Sequence, residues 1–315
     1  MRVAVTGGAG FVGSNLCEAL LTTEGIGSVA VIDDLSNGRL ANLDGLDVDF
    51  TEGSILDGEA LDRVLDGADA VVHLAALGSV PRSVEDPLAS HAANATGTVM
   101  VLEAARRHGG LHTIVAGSSS VYGSNPTLPK HEDLATRPLS PYGGSKLATE
   151  AYTLAWGSSY ALPVLAFRFF NVFGPKQPAD HTYAAVIPAF VDAALRGRPV
   201  TVHGDGLQSR DFTYVGTVTD VIVRAVLGRV VSDTPVNLAF GSRITLLDVL
   251  AELEQVLGHP VARHHTEPRA GDVRHSQADR TRLLELLPGI SAVPFDEGLR
   301  ATVGWMRTDD ARSAG

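Results

Sequence analysis

The chain of 315 residues carries 36 acidic and 25 basic side chains, a formal net charge of −11, with 44% hydrophobic and 19% charged residues. That balance supports a sizeable core in one large domain or two intimately connected ones, and it argues against nucleic acid or an anionic membrane as partner. Cys17 is the only cysteine, no run reaches the ~18 apolar residues of a membrane span, and the chain opens on a strand pattern without a signal peptide, so a reducing, cytoplasmic location is expected.

Arg2-Val3-Ala4-Val5-Thr6 is a short apolar run ending in glycines, the pattern of a buried strand. Gly7, Gly10 and Gly13 then space out a G-x-x-G-x-x-G turn, and helical periodicity follows from Ser14 to Leu21. The first glycine permits the tight turn, the second lets backbone approach a diphosphate, and the third lets the helix pack on the sheet. The helix N-terminus would then offer free N–H groups to the phosphates. Val29 to Ile32 reads as a second strand ending at Asp33. A carboxylate there accepts hydrogen bonds from an adenosine ribose and repels a 2′-phosphate, which favours NAD over NADP.

Alternation continues along the chain. Strands are expected at Asp47 to Thr51, Ala70 to Leu74, His112 to Ala116 and Leu162 to Phe167. Helices are expected at Asp57 to Leu65, across most of Pro87 to Arg107, and from Tyr142 to Tyr160. This βαβα order predicts an α/β fold, a Rossmann-type doubly wound parallel sheet with both faces covered, and ligands beyond the strand C-termini. The glycine loop, His73 to Ala76 and Gly117 to Ser120 would converge there. Tyr142 and Lys146 stand four apart, about one helical turn, so their side chains share a face. A phenol titrates near 10, and bringing it to about 7 takes ~4 kcal/mol from neighbouring cations.

Together, Thr6 to Gly13, Asp33 to Ser36, His73 to Ala76, Ser118 to Gly123 and Tyr142-x-x-x-Lys146 resemble the extended short-chain dehydrogenase/reductase family, and more narrowly its nucleotide-sugar epimerases. The resemblance runs from residue 1 to about 305, with the motifs in the family's order. It implies catalytic roles for Ser118, Tyr142 and Lys146. It further implies a tightly bound NAD held by Gly7, Gly10, Phe11, Val12, Gly13, Asp33, Asp34, Ser36, Asn37, Gly38, Ser54, Ile55, Leu74, Ala75, Ala76 and Asn94, together with Tyr142 and Lys146. Ser54 departs from the pattern, since relatives usually carry an aspartate there that contacts the adenine amine. The resemblance also implies two units: an NAD-binding domain over residues 1–168 with a return segment near 212–238, and a smaller mixed α/β nucleotide-sugar domain over 169–211 and 239–315. A homodimer through helices near 90–107 and 145–160 is the family's common assembly.

Residues after Ser118 discriminate between reactions. Dehydratases of this kind need an Asp-Glu pair there, and decarboxylating relatives a glutamate before Val-Tyr-Gly. Ser119 and Ser120 occupy those places here, and hydroxyls make no general acid–base pair near neutral pH. Epimerisation at C4, with Tyr142 as base, is therefore favoured over elimination, and the intact Ser118, Tyr142 and Lys146 argue against a non-catalytic NAD-binding sensor. For a UDP-sugar substrate the resemblance adds Gly78, Ser79, Ser118, Ser119, Ser120, Tyr142, Asn171, Ala185, Val186, Arg210, Arg269, Asp272 and Ser276. Ser276 stands where enzymes restricted to UDP-glucose and UDP-galactose carry tyrosine, and a small residue leaves room for an N-acetyl group. The stretches from Ala76 to Ser83 and Gly271 to Asp279 most resemble bacterial UDP-N-acetylglucosamine 4-epimerases, while a UDP-uronic acid such as UDP-glucuronic acid is the alternative. His264, His265 and His275 lack ligand partners at metal spacing, so no metal is expected. Trp156 and Trp305 read as packing residues, and the polar end from Thr308 as a frayed tail.

Overall fold

A computed structural model describes residues 1–179, 184–268 and 274–313, with side chains through Asp309. Seven parallel strands form the central sheet: β1 (Arg2–Thr6), β2 (Ser28–Asp33), β3 (Val48–Glu52), β4 (Ala70–His73), β5 (His112–Ser118), β6 (Val164–Phe169) and, much later in the chain, β11 (Val236–Leu238). Their spatial order is β11-β6-β5-β4-β1-β2-β3. Order reverses beside β1, so its C-terminal end opens the crevice where such sheets bind ligands.

Side chains of one strand alternate between two cores. Val3, Val5, Val29 and Val31 face α1 (Phe11–Leu21), α8 (Val215–Leu227) and α10 (Thr281–Leu286). Ala4, Ala30 and Ile32 face α2 (Gly58–Leu65) and α5 (Gly97–Arg107). Strands buried on both faces need the near-continuous apolar runs seen in the sequence. Local signals set the helix starts. Asp57 caps α2 through Glu59 N (2.9 Å) and Ala60 N (3.2 Å). Ser140 caps α6 (Pro141–Tyr160) through Gly143 N at 3.1 Å, with proline at the first position, where its missing N–H does no harm.

The helical stretch expected from Pro87 is more broken than periodicity suggests. It comprises α4 (Pro87–His91), a π-turn over Ala92–Thr96, and α5, and a further short helix, α3 (Val80–Glu85), precedes it. A second core lies among α7 (Val186–Leu195), α9 (Leu246–Leu257), α11 (Phe295–Ser313) and Phe173 and Phe212. Around it run four short pairings. They join β7 (Val172–Phe173) to β10 (Thr213–Tyr214), β8 (Val200–His203) to β13 (Arg263–Thr266), and β9 (Ser209–Arg210) to β12 (Ile244–Thr245); the isolated bridge Ser209 to His275 adds the fourth. The segment from Thr308, expected to fray, is instead helical to Ser313. No glycine or proline interrupts it, and the Thr308 hydroxyl donates to Trp305 O at 2.7 Å. Among the described residues, no helix is long and apolar enough to cross a membrane.

Candidate functional site

The loop after β1 is a cradle of bare backbone. Gly7 has φ +72°, and a Cβ there would lie 2.7 Å from Ala75 N. A Cβ on Gly13 would fall well inside contact distance of the Gly7 carbonyl oxygen, and the one on Gly10 would sit 3.2 Å from that same atom. α1 then begins at Phe11 and Val12 with Gly10 as its N-cap and no side-chain acceptor, so its first-turn N–H groups face outward without a partner side chain. Asp33, buried at the end of β2, borders the cradle. One carboxylate oxygen accepts from Ala9 N and the other from Leu35 N, both at 2.9 Å. Burial raises its pKa, and backbone donors at Leu35, Ala9 and Gly10 pull it back.

Other cofactor candidates surround this loop. A Cβ on Gly38 would meet Asp33 Oδ1 at 2.8 Å. Asp34 accepts from Ser36 N (3.0 Å), and Asn37 accepts from Arg82 Nη1 (2.8 Å). The Ser54 hydroxyl is occupied locally, accepting from Leu56 N at 3.2 Å, while Ile55 packs on Gly97. A cradle that any Cβ would fill, an uncapped helix start and a carboxylate with remaining lone pairs together suit an adenine dinucleotide.

Across the crevice, Leu74 N donates to Thr6 O (3.1 Å) and Ala75 N to the Thr6 hydroxyl (3.2 Å), turning Leu74 to Ala76 along the cradle. Buried Asn94, in the π-turn, binds both polar groups of Leu77, accepting from its N–H (2.8 Å) and donating to its carbonyl (3.2 Å). Ser118 ends β5, and its Oγ accepts from Ser120 N at 3.1 Å, which caps the 3-10 turn Ser119–Val121. Tyr142 and Lys146 occupy the first two turns of α6. Tyr142 N donates to Ser83 Oγ (3.0 Å), and Lys146 Nζ donates to Ala116 O (2.9 Å), two residues before Ser118. Ser79, by contrast, spends its hydroxyl capping α3 through Arg82 N at 3.2 Å, beside exposed Gly78.

Burial governs the electrostatics of this group. It raises the Tyr142 phenol above its ordinary value, opposed by a hydrogen bond with Ser118. It lowers the Lys146 ammonium from 10.5 to about 8. Burial thus holds the phenol neutral, and a cation brought close to it would favour the phenolate.

Beside the second core, the other candidates lie around β9. Asn171, with φ +28°, donates to Asp211 O (3.2 Å) and accepts from Thr213 N (3.2 Å). Arg210 Nη1 donates to Ser209 O at 2.9 Å, and half-buried Ser276 donates its N–H to the same carbonyl at 3.0 Å. Ala185 caps α7, which Val186 begins. Arg269 and Asp272 lie outside the described residues.

Sequence reasoning missed three residues here. Fully buried Asp211 accepts from Gly241 N (3.0 Å), Ser242 N (3.1 Å), Ser242 Oγ (2.9 Å) and Ala278 N (2.9 Å), stapling two distant loops behind Arg210. Arg243 and Arg274 join Arg210 near His275, whose pKa burial and these three cations all lower. Their positions follow from strand pairing across β9 and β12, and no local spacing announces it. Among the described residues, no group of three or more His, Cys, Asp or Glu is placed to hold a metal ion.

Comparison with known proteins finds that a model of the NAD dependent epimerase/dehydratase family matches residues 3–239. The UDP-glucose 4-epimerase of Mycolicibacterium smegmatis is 37% identical over 98% of this chain and 99% of its own. Among solved structures, a UDP-N-acetylglucosamine 4-epimerase from Methanobrevibacter ruminantium in complex with UDP-N-acetylmuramic acid is 35% identical, with 98% of each chain covered and a TM-score of 0.92. A UDP-glucuronic acid 4-epimerase from Bacillus cereus, bound to UDP-glucuronic acid and NAD, is 30% identical over 98% of this chain and 99% of its own, with a TM-score of 0.88.

Proposed function

Because the chain belongs to the NAD dependent epimerase/dehydratase family, we propose that it is a UDP-sugar 4-epimerase that interconverts UDP-N-acetylglucosamine and UDP-N-acetylgalactosamine. One observation carries the reaction class: Tyr142 hydrogen-bonds Ser118 at the end of β5, Lys146 of the same helix reaches Ala116 O two residues before it, and positions 119 and 120 offer hydroxyls and no carboxylate. The residues present fit NAD. Gly7, Gly10 and Gly13 would take its diphosphate against the start of α1, and Asp33 its adenosine ribose. When bound, NAD supplies the acceptor, and later the donor, of the hydride at sugar C4.

The chain's own groups do the rest. Tyr142 takes the proton of the 4-hydroxyl and later returns it, and Ser118 hydrogen-bonds to that same oxygen. Lys146, charged over most of the neutral range, favours the ionised phenol. Asn171, Arg210 and Arg269 hold the nucleotide diphosphate and Asp272 its ribose, so the 4-keto sugar turns about that linkage and exposes its opposite face. The second unit is thus the substrate domain, and residues 1–168 with the return near 212–238 the cofactor domain. Small Ser276, tied to Ser209 beside Arg210, supports an N-acetylated sugar.

One observation favours a second reading, a UDP-uronic acid: Arg243 adds positive charge at His275, the neighbour of Ser276, while Arg274 is paired with Asp205 at 2.8 Å. A panel of UDP-N-acetylglucosamine, UDP-glucose and UDP-glucuronic acid, incubated without added NAD and followed by NMR, tests both. The expected product is the galacto epimer of the acetylated sugar, absent with Tyr142→Phe. Turnover of the uronic acid alone would establish the second reading, and full turnover by Tyr142→Phe would remove Tyr142 as base.

A further inference from the structure

A buried chain of polar groups runs behind the site and is not accounted for by cofactor or substrate binding. His73, the last residue of β4, is 3% exposed and hydrogen-bonded at both ring nitrogens. Nδ1 meets Thr6 Oγ1 at 2.7 Å, and Nε2 meets Thr98 Oγ1 at 3.1 Å. The surrounding bonds fix where each proton sits. Thr98 has one hydroxyl proton and gives it to Asn94 O at 2.5 Å, so its oxygen accepts from His73, which must carry its proton on Nε2. Nδ1 is then bare and accepts the Thr6 hydroxyl proton, leaving the Thr6 oxygen to accept from Ala75 N at 3.2 Å.

Both ends of this chain reach the proposed site. At one end Thr6 holds Ala75. At the other, Asn94 takes a second hydroxyl, from Thr149 (2.8 Å), and its side chain binds Leu77 and donates to Ser145 Oγ (2.9 Å). Ser145 in turn donates to Tyr142 O at 2.8 Å. Ala75 and Leu77, which bracket the floor of the crevice, are therefore tied through His73, Thr98 and Asn94 to the helical turn that carries Tyr142.

We infer that His73 and Thr98 are positioning residues that hold the 75–77 segment and the Tyr142 turn at a fixed spacing, through a neutral histidine locked in its Nε2–H form. A one-way chain has a single proton arrangement, so it resists small shifts that a set of independent contacts would allow. Burial agrees with the neutral form, lowering the ring's pKa to about 3, with Lys146 the charged group acting on it. The inference rests on the proposed roles of Tyr142 and the 74–76 segment.

Two readouts test it. In protein labelled with 15N at histidine, the His73 signals, assigned by their loss in His73→Gln, should show the Nε2–H tautomer and no titration across the neutral range. An Nδ1–H tautomer, or a ring that titrates with ordinary histidines, overturns the proton assignment. In turnover, Thr98→Val and His73→Leu should each lower kcat about 10- to 100-fold per bound cofactor while leaving KM unchanged, because displaced reacting groups lose rate before binding. His73→Gln, which keeps a donor toward Thr98, should recover part of that loss. If His73→Leu fails to fold, Thr98→Val and the NMR readout stand without it. Loss of thermal stability in Thr98→Val with kcat unchanged would make the chain merely structural. Activity in Tyr142→Phe would instead remove the reading on which the inference depends, so the two failures are distinguishable.

Discussion

Lys146 gives the sharpest test of how burial sets the chemistry of this site. Its ammonium is 5% exposed, donates to Ala116 O, and has its pKa lowered from 10.5 to about 8 by burial. A fall of that size corresponds to roughly 3 kcal/mol of penalty on the charged form. Below about pH 8 the lysine is protonated in both folded and unfolded chains, and the penalty is carried in full. Between about 8 and 10.5 the folded protein releases the proton first while the unfolded chain keeps it, so the penalty is relieved and stability from this group rises with pH. Lys146→Met keeps an unbranched side chain and removes the charge. Losing the hydrogen bond to Ala116 returns about 1–3 kcal/mol of that gain, so at pH 7 the variant should be equal to or modestly more stable than the parent, although inactive. Urea unfolding of cofactor-free protein at pH 7, 8, 9 and 10 measures the difference. It should move by roughly 3 kcal/mol in favour of the parent across this range. A difference constant in pH would refute the assignment of Lys146 as a buried, depressed ammonium.

Four other outcomes follow from the geometry. Gly13→Ala should lose bound nucleotide, assayed after denaturation, and about 1–3 kcal/mol of stability, because its Cβ must displace the Gly7 carbonyl. Arg168→Leu should cost about 3–5 kcal/mol by leaving Glu150 buried and unpaired, and adding Glu150→Leu should restore most of it, read by denaturant midpoints; the pair is bidentate at 2.7 Å and nearly without solvent exposure. Ser276→Tyr should abolish turnover of the acetylated substrate and spare UDP-glucose; an unchanged acetyl preference in competition assays would count against the pocket. Arg243→Ala should raise KM for the UDP-sugar about two- to fivefold with kcat unchanged, more at low salt than at high, as expected for a solvent-exposed cation.

The sequence made local features plain. The glycine spacing, the doubly buried strands and the Tyr142–Lys146 turn are legible because each is set by residues a few positions apart, and the fold has them within two residues of expectation. What the sequence hid was assembled at long range. Nothing near Asp211 says that its carboxylate will meet Gly241, Ser242 and Ala278, some 30 to 67 residues away. Arg168 reads as one more charge in a strand until Glu150 arrives from α6. The π-turn at Ala92–Thr96 lies within a good helical pattern, and its irregularity is decided by the hydroxyls of Thr98 and Thr149 competing for the Asn94 carbonyl. α3 is held by Ser79 and Pro81 over too short a span for periodicity to show.

Charge gives a physical reason for placing the long-range part on the proposed substrate side. A chain with a net charge of −11 repels a dianionic UDP-sugar at a distance, so attraction must be local and protected from surrounding carboxylates. The fold meets this by sinking one acid. Asp211 is fully buried and spends its charge on four donors, and the backbone it fixes presents Arg210 on one side and Arg243 two residues from Gly241 on the other. Arg274, drawn in by the hydrogen bond from Ser209 N to its carbonyl (3.0 Å), brings a third guanidinium to the same edge, where it is paired with Asp205 at 2.8 Å. An aspartate turned inward thus organises a positive edge on an acidic protein. Because each arginine comes from a different segment, the edge exists only once β12 has paired with β9 and His275 has bridged to Ser209.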